Sequence, residues 1–73
     1  MKELDLVVLT RDMPAHNLRA GDVGTVVYAT EAGDAFEVEF VRADGQTLAL
    51  LSLERPDLRP FDGAEILQAR PLA

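Results

Sequence analysis

Gly21-Asp22-Val23-Gly24-Thr25-Val26-Val27 is the stretch on which the reading of this chain turns. Two glycines three apart open a β-branched run, with Asp22 between them. Glycine accepts positive φ and lets a second backbone come close. Valine and threonine are stiff at χ1 and favour extended, half-buried strands. The stretch therefore predicts a tight loop that gives way to a long strand, from about Val23 to Thr30. It is not a phosphate loop, because it lacks the Gly-x-x-x-x-Gly-Lys spacing and a following helix.

Upstream, Leu4-Asp5-Leu6-Val7-Val8-Leu9 reads as a first strand, with Leu4, Leu6 and Val8 on one face and Asp5 on the other. Thr10 to Ala20 follows with no clean period. Pro14 removes a donor and restricts Met13, so this is a long, partly ordered loop. Loops of this length in compact domains are uncommon and often functional.

Downstream, Glu31-Ala32-Gly33-Asp34 is a turn. Ala35 to Val41 has the clearest period of two in the chain. Phe36, Val38 and Phe40 point one way and Glu37 and Glu39 the other, so one face is core and the other wet. Asp44-Gly45 between apolar runs is a strong hairpin signal. Thr47 to Leu53 is apolar on both faces, which predicts cover on both sides or a neighbouring subunit. The run is short and directly follows the Asp-Gly turn, which argues against a helix. Glu54 to Pro60, with two prolines, fits one 3₁₀ turn with Leu58 pointing inward. Phe61-Asp62-Gly63 is a further turn. Ala64 to Arg70 is expected to be the fifth strand, ended by Pro71.

The predicted fold is all-β: a small five-stranded SH3-like barrel with one 3₁₀ turn before the last strand. Closing five strands into a barrel leaves few free edges, which suits a chain too short for a two-layer sandwich. The competing five-stranded OB-type barrel usually has longer strands and a helix in the middle.

Seventy-three residues make one domain with a small core. There is no cysteine, hence neither a disulfide nor a thiolate metal site. No signal-peptide run and no apolar stretch of membrane-helix length is present, so a cytoplasmic location is the default. The formal net charge of −6, from 13 acids against 7 bases, argues against a nucleic-acid module working alone and against an anionic membrane surface.

The residues also carry a resemblance. Leu4-Asp5-Leu6-Val7-Val8-Leu9-Thr10-Arg11-Asp12 with Pro14, Gly21 to Val27, Phe36-Glu37-Val38-Glu39-Phe40, and Glu65-Ile66-Leu67-Gln68-Ala69-Arg70-Pro71-Leu72 together resemble the bacterial family called domain of unknown function 4926. The resemblance implies a stand-alone protein of about this length with no established activity. It also implies a partner encoded beside another small protein, in the manner of toxin–antitoxin or immunity pairs. Family members often carry His where this chain has Gln68. The glycine stretch is similar to the start of a KOW motif of ribosomal and transcription-factor SH3-like domains. Those domains use basic loops, whereas Asp22 and Glu31 flank the strand here. Accessory electron-transfer barrels of photosynthetic complexes share a similar rhythm, in architecture only.

Candidate sites are few. His16 is the only histidine; Asp12, Thr10 and Ser52 are the nearest candidate partners for a catalytic role, and a solvated loop histidine is the simpler reading. One His, no Cys and no Asp-x-Asp-x-Asp-Gly loop leave no metal or cofactor set. Glu37 and Glu39, about 7 Å apart along a strand, have the look of a glycosidase pair, but alternate acids on a wet face are ordinary in antiparallel sheets. The more informative feature is apolar surplus: Val27, Leu51 and Leu53 are expected on the face opposite the core. Either the long loop covers them through Met13 and Leu18, or they form an interface rimmed by Arg11, His16 and Arg19. The expected function is a non-enzymatic protein-binding module whose acidic surface suits a basic partner, with a second copy of the chain as the other candidate occupant. The alternative is a KOW-like RNA- or ribosome-associated domain.

Overall fold

The computed structural model describes residues 1–72. Five antiparallel strands form one sheet: β1 (Leu6–Leu9), β2 (Val23–Ala29), β3 (Ala35–Val41), β4 (Thr47–Glu54) and β5 (Leu58–Pro60), in the order β4-β3-β2-β1-β5. Short 3₁₀ turns at Pro14–His16 and Arg55–Asp57 are the only helical elements among the described residues. The edge strands β4 and β5 are joined by the second turn and do not pair with each other, so hydrogen bonds do not close the sheet.

The loop before β2 behaves as the sequence requires. Gly21 sits at φ +95°, and its N–H donates to the Leu9 carbonyl. Gly24 is buried with φ outside the positive region. A Cβ there would lie 2.6 Å from Val38 Cγ1 and 2.8 Å from Phe40 Cε1, so crowding rather than backbone geometry demands glycine. A bulge between Val26 and Tyr28 breaks the β2–β3 ladder. Such an insertion bends a strand and increases its twist.

The core lies on one face. Val26, Val38, Phe36 and Phe40 from the central hairpin meet Val7 and Leu9 of β1, Leu53 of β4, Leu58 of β5 and Leu18 of the loop in one cluster. Phe36, Val38 and Phe40 point inward as their alternation predicts. Arg55 lies over the Phe36 ring, 5.8 Å from its centroid, and donates to the Gly33 carbonyl.

Three expectations need correction. First, the strand expected from Leu4 begins at Leu6, and its core side is Val7 and Leu9. Leu4 precedes the strand at φ +71° and is 81% exposed, and Leu6 is also exposed. Val8 is buried outside the main cluster, between Val23 and Arg59 in the ladder. Leu6 to Leu9 is an unbroken apolar run and carries no alternation, so the pattern left the side open. Second, Leu51 and Leu53 face the core rather than the outside: Leu51 pairs with Val38 and Leu53 with Phe36. The ladder shifts between Phe40 and Val41, and that irregularity sets which leucines of β4 point inward. Third, Ala64–Arg70 is not a strand. The free edge of β1 is taken by Leu58–Pro60, which emerges from the 3₁₀ turn already beside it. Pro60 is tolerated because β5 is an edge strand.

Candidate functional site

The loop Thr10–Ala20 is a built element. Met13 and Leu18 exchange backbone hydrogen bonds of 2.9 and 3.2 Å around the Pro14–His16 turn, with Asn17 in the left-handed region at φ 57°. Leu18 is buried in the core and Met13 packs against it. At one end of the loop, Thr10 N–H donates to the Asp57 carbonyl and its hydroxyl donates to the Pro56 carbonyl, while Arg11 Nε donates to Asp57 Oδ1 at 2.8 Å. At the other end Asp12 Oδ1 accepts from the Ala20 N–H, and Asp22 Oδ2 from the Arg19 N–H.

Of the eight residues proposed as an interface, Leu18 and Leu53 are buried, and Met13 and Leu51 are packed onto the core. Met13 and Leu18 thus follow the covering alternative rather than the interface one, and Leu51 and Leu53, expected on the face opposite the core, are spent on the fold. Arg11, His16 and Arg19 are exposed on the loop, and Val27 is the exposed residue inserted at the β2 bulge. The groups weighed as partners of His16 are engaged elsewhere. Asp12 and Thr10 make the bonds above, and the Ser52 hydroxyl donates to Glu37 Oε1. Among the described residues, no three His, Cys, Asp or Glu side chains are grouped to hold a metal, and no helix is long and apolar enough to cross a membrane.

The register assembles a different surface. Residues directly opposite in a ladder share a face. Leu6, Thr25, Glu39 and Leu50 form one row across β1-β2-β3-β4, and Tyr28, Glu37 and Ser52 form the next. Leu6, Val27, Tyr28 and Leu50 are all exposed, Leu50 at 57%. Glu39 Oε2 accepts from the Thr47 hydroxyl at 2.6 Å and Glu37 from Ser52, and neither has a cation partner among the described residues. A notch of about 310 Å³, lined by Met1, Asp5, Leu6, Pro60 and Phe61, opens beside the Leu6 end. Leu6, Tyr28 and Leu50 were missed by the sequence reading. No local signal could have found Leu50: counting on from the Val41–Thr47 pair beside the turn puts it opposite Val38, and only the ladder shift between Phe40 and Val41 brings it to Glu39.

The second feature lies where the C-terminal segment crosses the loop before β2. Arg70 donates from Nε to Asp22 Oδ1 at 2.9 Å, from Nη2 to Asp22 Oδ2, and from Nη2 to the Asn17 carbonyl at 3.0 Å. Burial pushes the Asp22 carboxyl up. The Arg70 hydrogen bonds, the Arg19 N–H and the two guanidinium charges outweigh that and hold it below the usual carboxylate range. Arg59 grips Glu65 with two bonds of 2.6 and 2.7 Å and, with the Asp62 N–H, lowers Glu65 to about 2. The segment and the β3–β4 hairpin enclose a groove of about 650 Å³. Leu18, Val23, Phe40 and Leu48 supply its apolar lining, and the Arg42–Asp44 ion pair lies on the hairpin side.

A family model described as Domain of unknown function (DUF4926) matches residues 3–60. The match takes in all five strands and stops before the C-terminal segment, so Glu65–Leu72 of the resembling stretches falls outside it. No curated protein and no solved structure matches the chain.

Proposed function

The chain belongs to the DUF4926 family, and from that premise we propose that it is a non-catalytic protein-binding module. Its working surface is the outer face of β1-β2-β3-β4, and its partner is a basic protein, in the manner of the neutralising half of a two-protein system. The observation that carries this reading is the interleaving of exposed Leu6, Tyr28, Val27 and Leu50 with Glu37 and Glu39, which have no cation partner among the described residues. Aromatic and aliphatic anchors supply contact area, and a desolvated carboxylate row selects a cationic partner and steers its approach. The net charge of −6 acts in the same sense at longer range.

We further take the sheet to curl into an SH3-like barrel. The strand order and the 3₁₀ turn before β5 support this, as does the presence of Leu53 and Leu58, from the two edge strands, in one core cluster.

The test is affinity purification of the tagged protein from its host, with and without nuclease, beside a Leu50→Glu variant of unchanged melting temperature. A stoichiometric basic protein that survives nuclease and is lost on Leu50→Glu supports the reading. Ribosomal or polymerase proteins lost on nuclease treatment overturn it in favour of the KOW-like alternative.

A further inference from the structure

The groove between the C-terminal segment and the β3–β4 hairpin is separate from the outer face. Its floor is apolar through Leu18, Val23, Phe40 and Leu48, one wall carries the half-buried carboxylate of Asp22, and the hairpin side carries the more exposed Arg42–Asp44 pair. The segment is itself one wall of the groove, through Gln68, Ala69, Arg70 and Leu72, and about 650 Å³ stands open between it and the hairpin. What lies against it now is the chain's own segment. Arg70 is held by a bidentate guanidinium–carboxylate contact and by the Asn17 carbonyl, and Leu72 lines the groove two residues on. Ile66 and Leu67 of the same segment face solvent, Ile66 at 89%, so the segment is attached through its polar contacts rather than through a buried apolar face. Asp22 and the apolar floor lie within the family-matched residues, whereas the segment lies beyond them.

We propose that this groove is a binding site for an extended peptide segment carrying an arginine with an apolar residue two positions on, and that Arg70–Leu72 occupies its carboxylate in cis. The guanidinium fork matches a carboxylate with two parallel donors, a geometry that lysine cannot reproduce. The floor then takes that apolar residue. Because the chain's own segment is tethered, it competes at high effective concentration, and an incoming peptide binds only the fraction of molecules in which it is released.

The test uses the full chain and a fluorescein-labelled peptide of residues 66–72, Ile-Leu-Gln-Ala-Arg-Pro-Leu, read by anisotropy. The Arg70→Ala protein binds this peptide saturably. Wild type binds it about tenfold more weakly, as expected for a segment latched about nine-tenths of the time. Adding Asp22→Asn to Arg70→Ala abolishes binding, as does replacing the peptide's arginine with glutamine. Leu50→Glu, on the outer face, leaves peptide binding unchanged. Amide shifts of wild type under excess peptide check the place without any substitution, and they are expected at Leu18, Val23 and Leu48. Equal binding by wild type and Arg70→Ala, insensitivity to Asp22→Asn, or shifts confined elsewhere each overturns the proposal.

Discussion

Gly24→Ala tests the packing on which the whole sheet depends. The added Cβ would stand 2.6 Å from Val38 Cγ1 and 2.8 Å from Phe40 Cε1, with the Glu39 carbonyl oxygen at 3.1 Å. Carbon atoms pack best at ~3.5 Å or more, so the two side chains are roughly 0.7–0.9 Å too close. Neither has room to retreat, because Val38 and Phe40 are both buried in the core cluster. Overpacking of this kind typically costs about 1–3 kcal/mol. Two effects oppose each other here. Replacing glycine in an uncrowded strand would stabilise by about 0.4–1 kcal/mol, because the unfolded chain loses freedom. Crowding is the larger effect, so the net change is destabilising. For a domain of this size the melting temperature should fall by up to roughly 20 °C, against a total stability of about 4–11 kcal/mol. Gly24→Val should cost more, since its branch adds two methyl groups at the same place. Gly63, with nothing within 4 Å and φ outside the positive region, is the control, and Gly63→Ala should leave the melting temperature equal to or slightly above wild type. The assay is thermal and urea denaturation followed by circular dichroism. Combining Gly24→Ala with Phe40→Leu should recover part of the loss, because the two share one space. A melting temperature for Gly24→Ala equal to or above wild type would refute the argument that contact with Val38 and Phe40 is what requires glycine there.

Phe40→Ala should lose roughly 3–5 kcal/mol as a core truncation, a large share of the total, and urea titration measures it directly. Acid should destabilise the protein in a defined window. Asp22, Asp57 and Glu65 are all held below their ordinary values, Asp57 through its hydrogen bond from Arg11 and the Glu54 N–H, and Glu65 at about 2. On acidification the unfolded chain takes up these protons first, so stability is flat between about pH 7 and 5 and falls from about pH 4 downward as the folded carboxyls protonate. Denaturant midpoints across that range check it, and Asp22→Asn should make the decline shallower. A stability that rises on acidification would reverse the sign of the argument.

The alternation of Phe36, Val38 and Phe40, the Asp44-Gly45 turn, the bounds of β3 and the inward-pointing Leu58 were all legible in the sequence. Each depends on neighbours within a few residues: period two sets the faces of a strand, glycine supplies the turn, and proline limits the 3₁₀ segment. Glycine at 21 and 24 was legible too, and so were the two reasons for it, but not which reason applies at which position. Gly21 is needed for its φ and Gly24 for the space that Val38 and Phe40 take up from another strand. The tertiary structure alone decided which face of β1 is core, because Val7, Val8 and Leu9 give no local preference. It placed Leu51 and Leu53 inside and Leu50 outside through a ladder shift at Val41. It assigned the edge of β1 to Leu58–Pro60 and so left Ala64–Arg70 without a strand partner. The candidate site follows the same division. Its chemistry, an acidic strand face and an arginine in the C-terminal segment, is written in the sequence. Which groups meet, Arg70 with Asp22 and Leu50 with Glu39, is settled by contacts between residues distant in the chain, which no local pattern encodes.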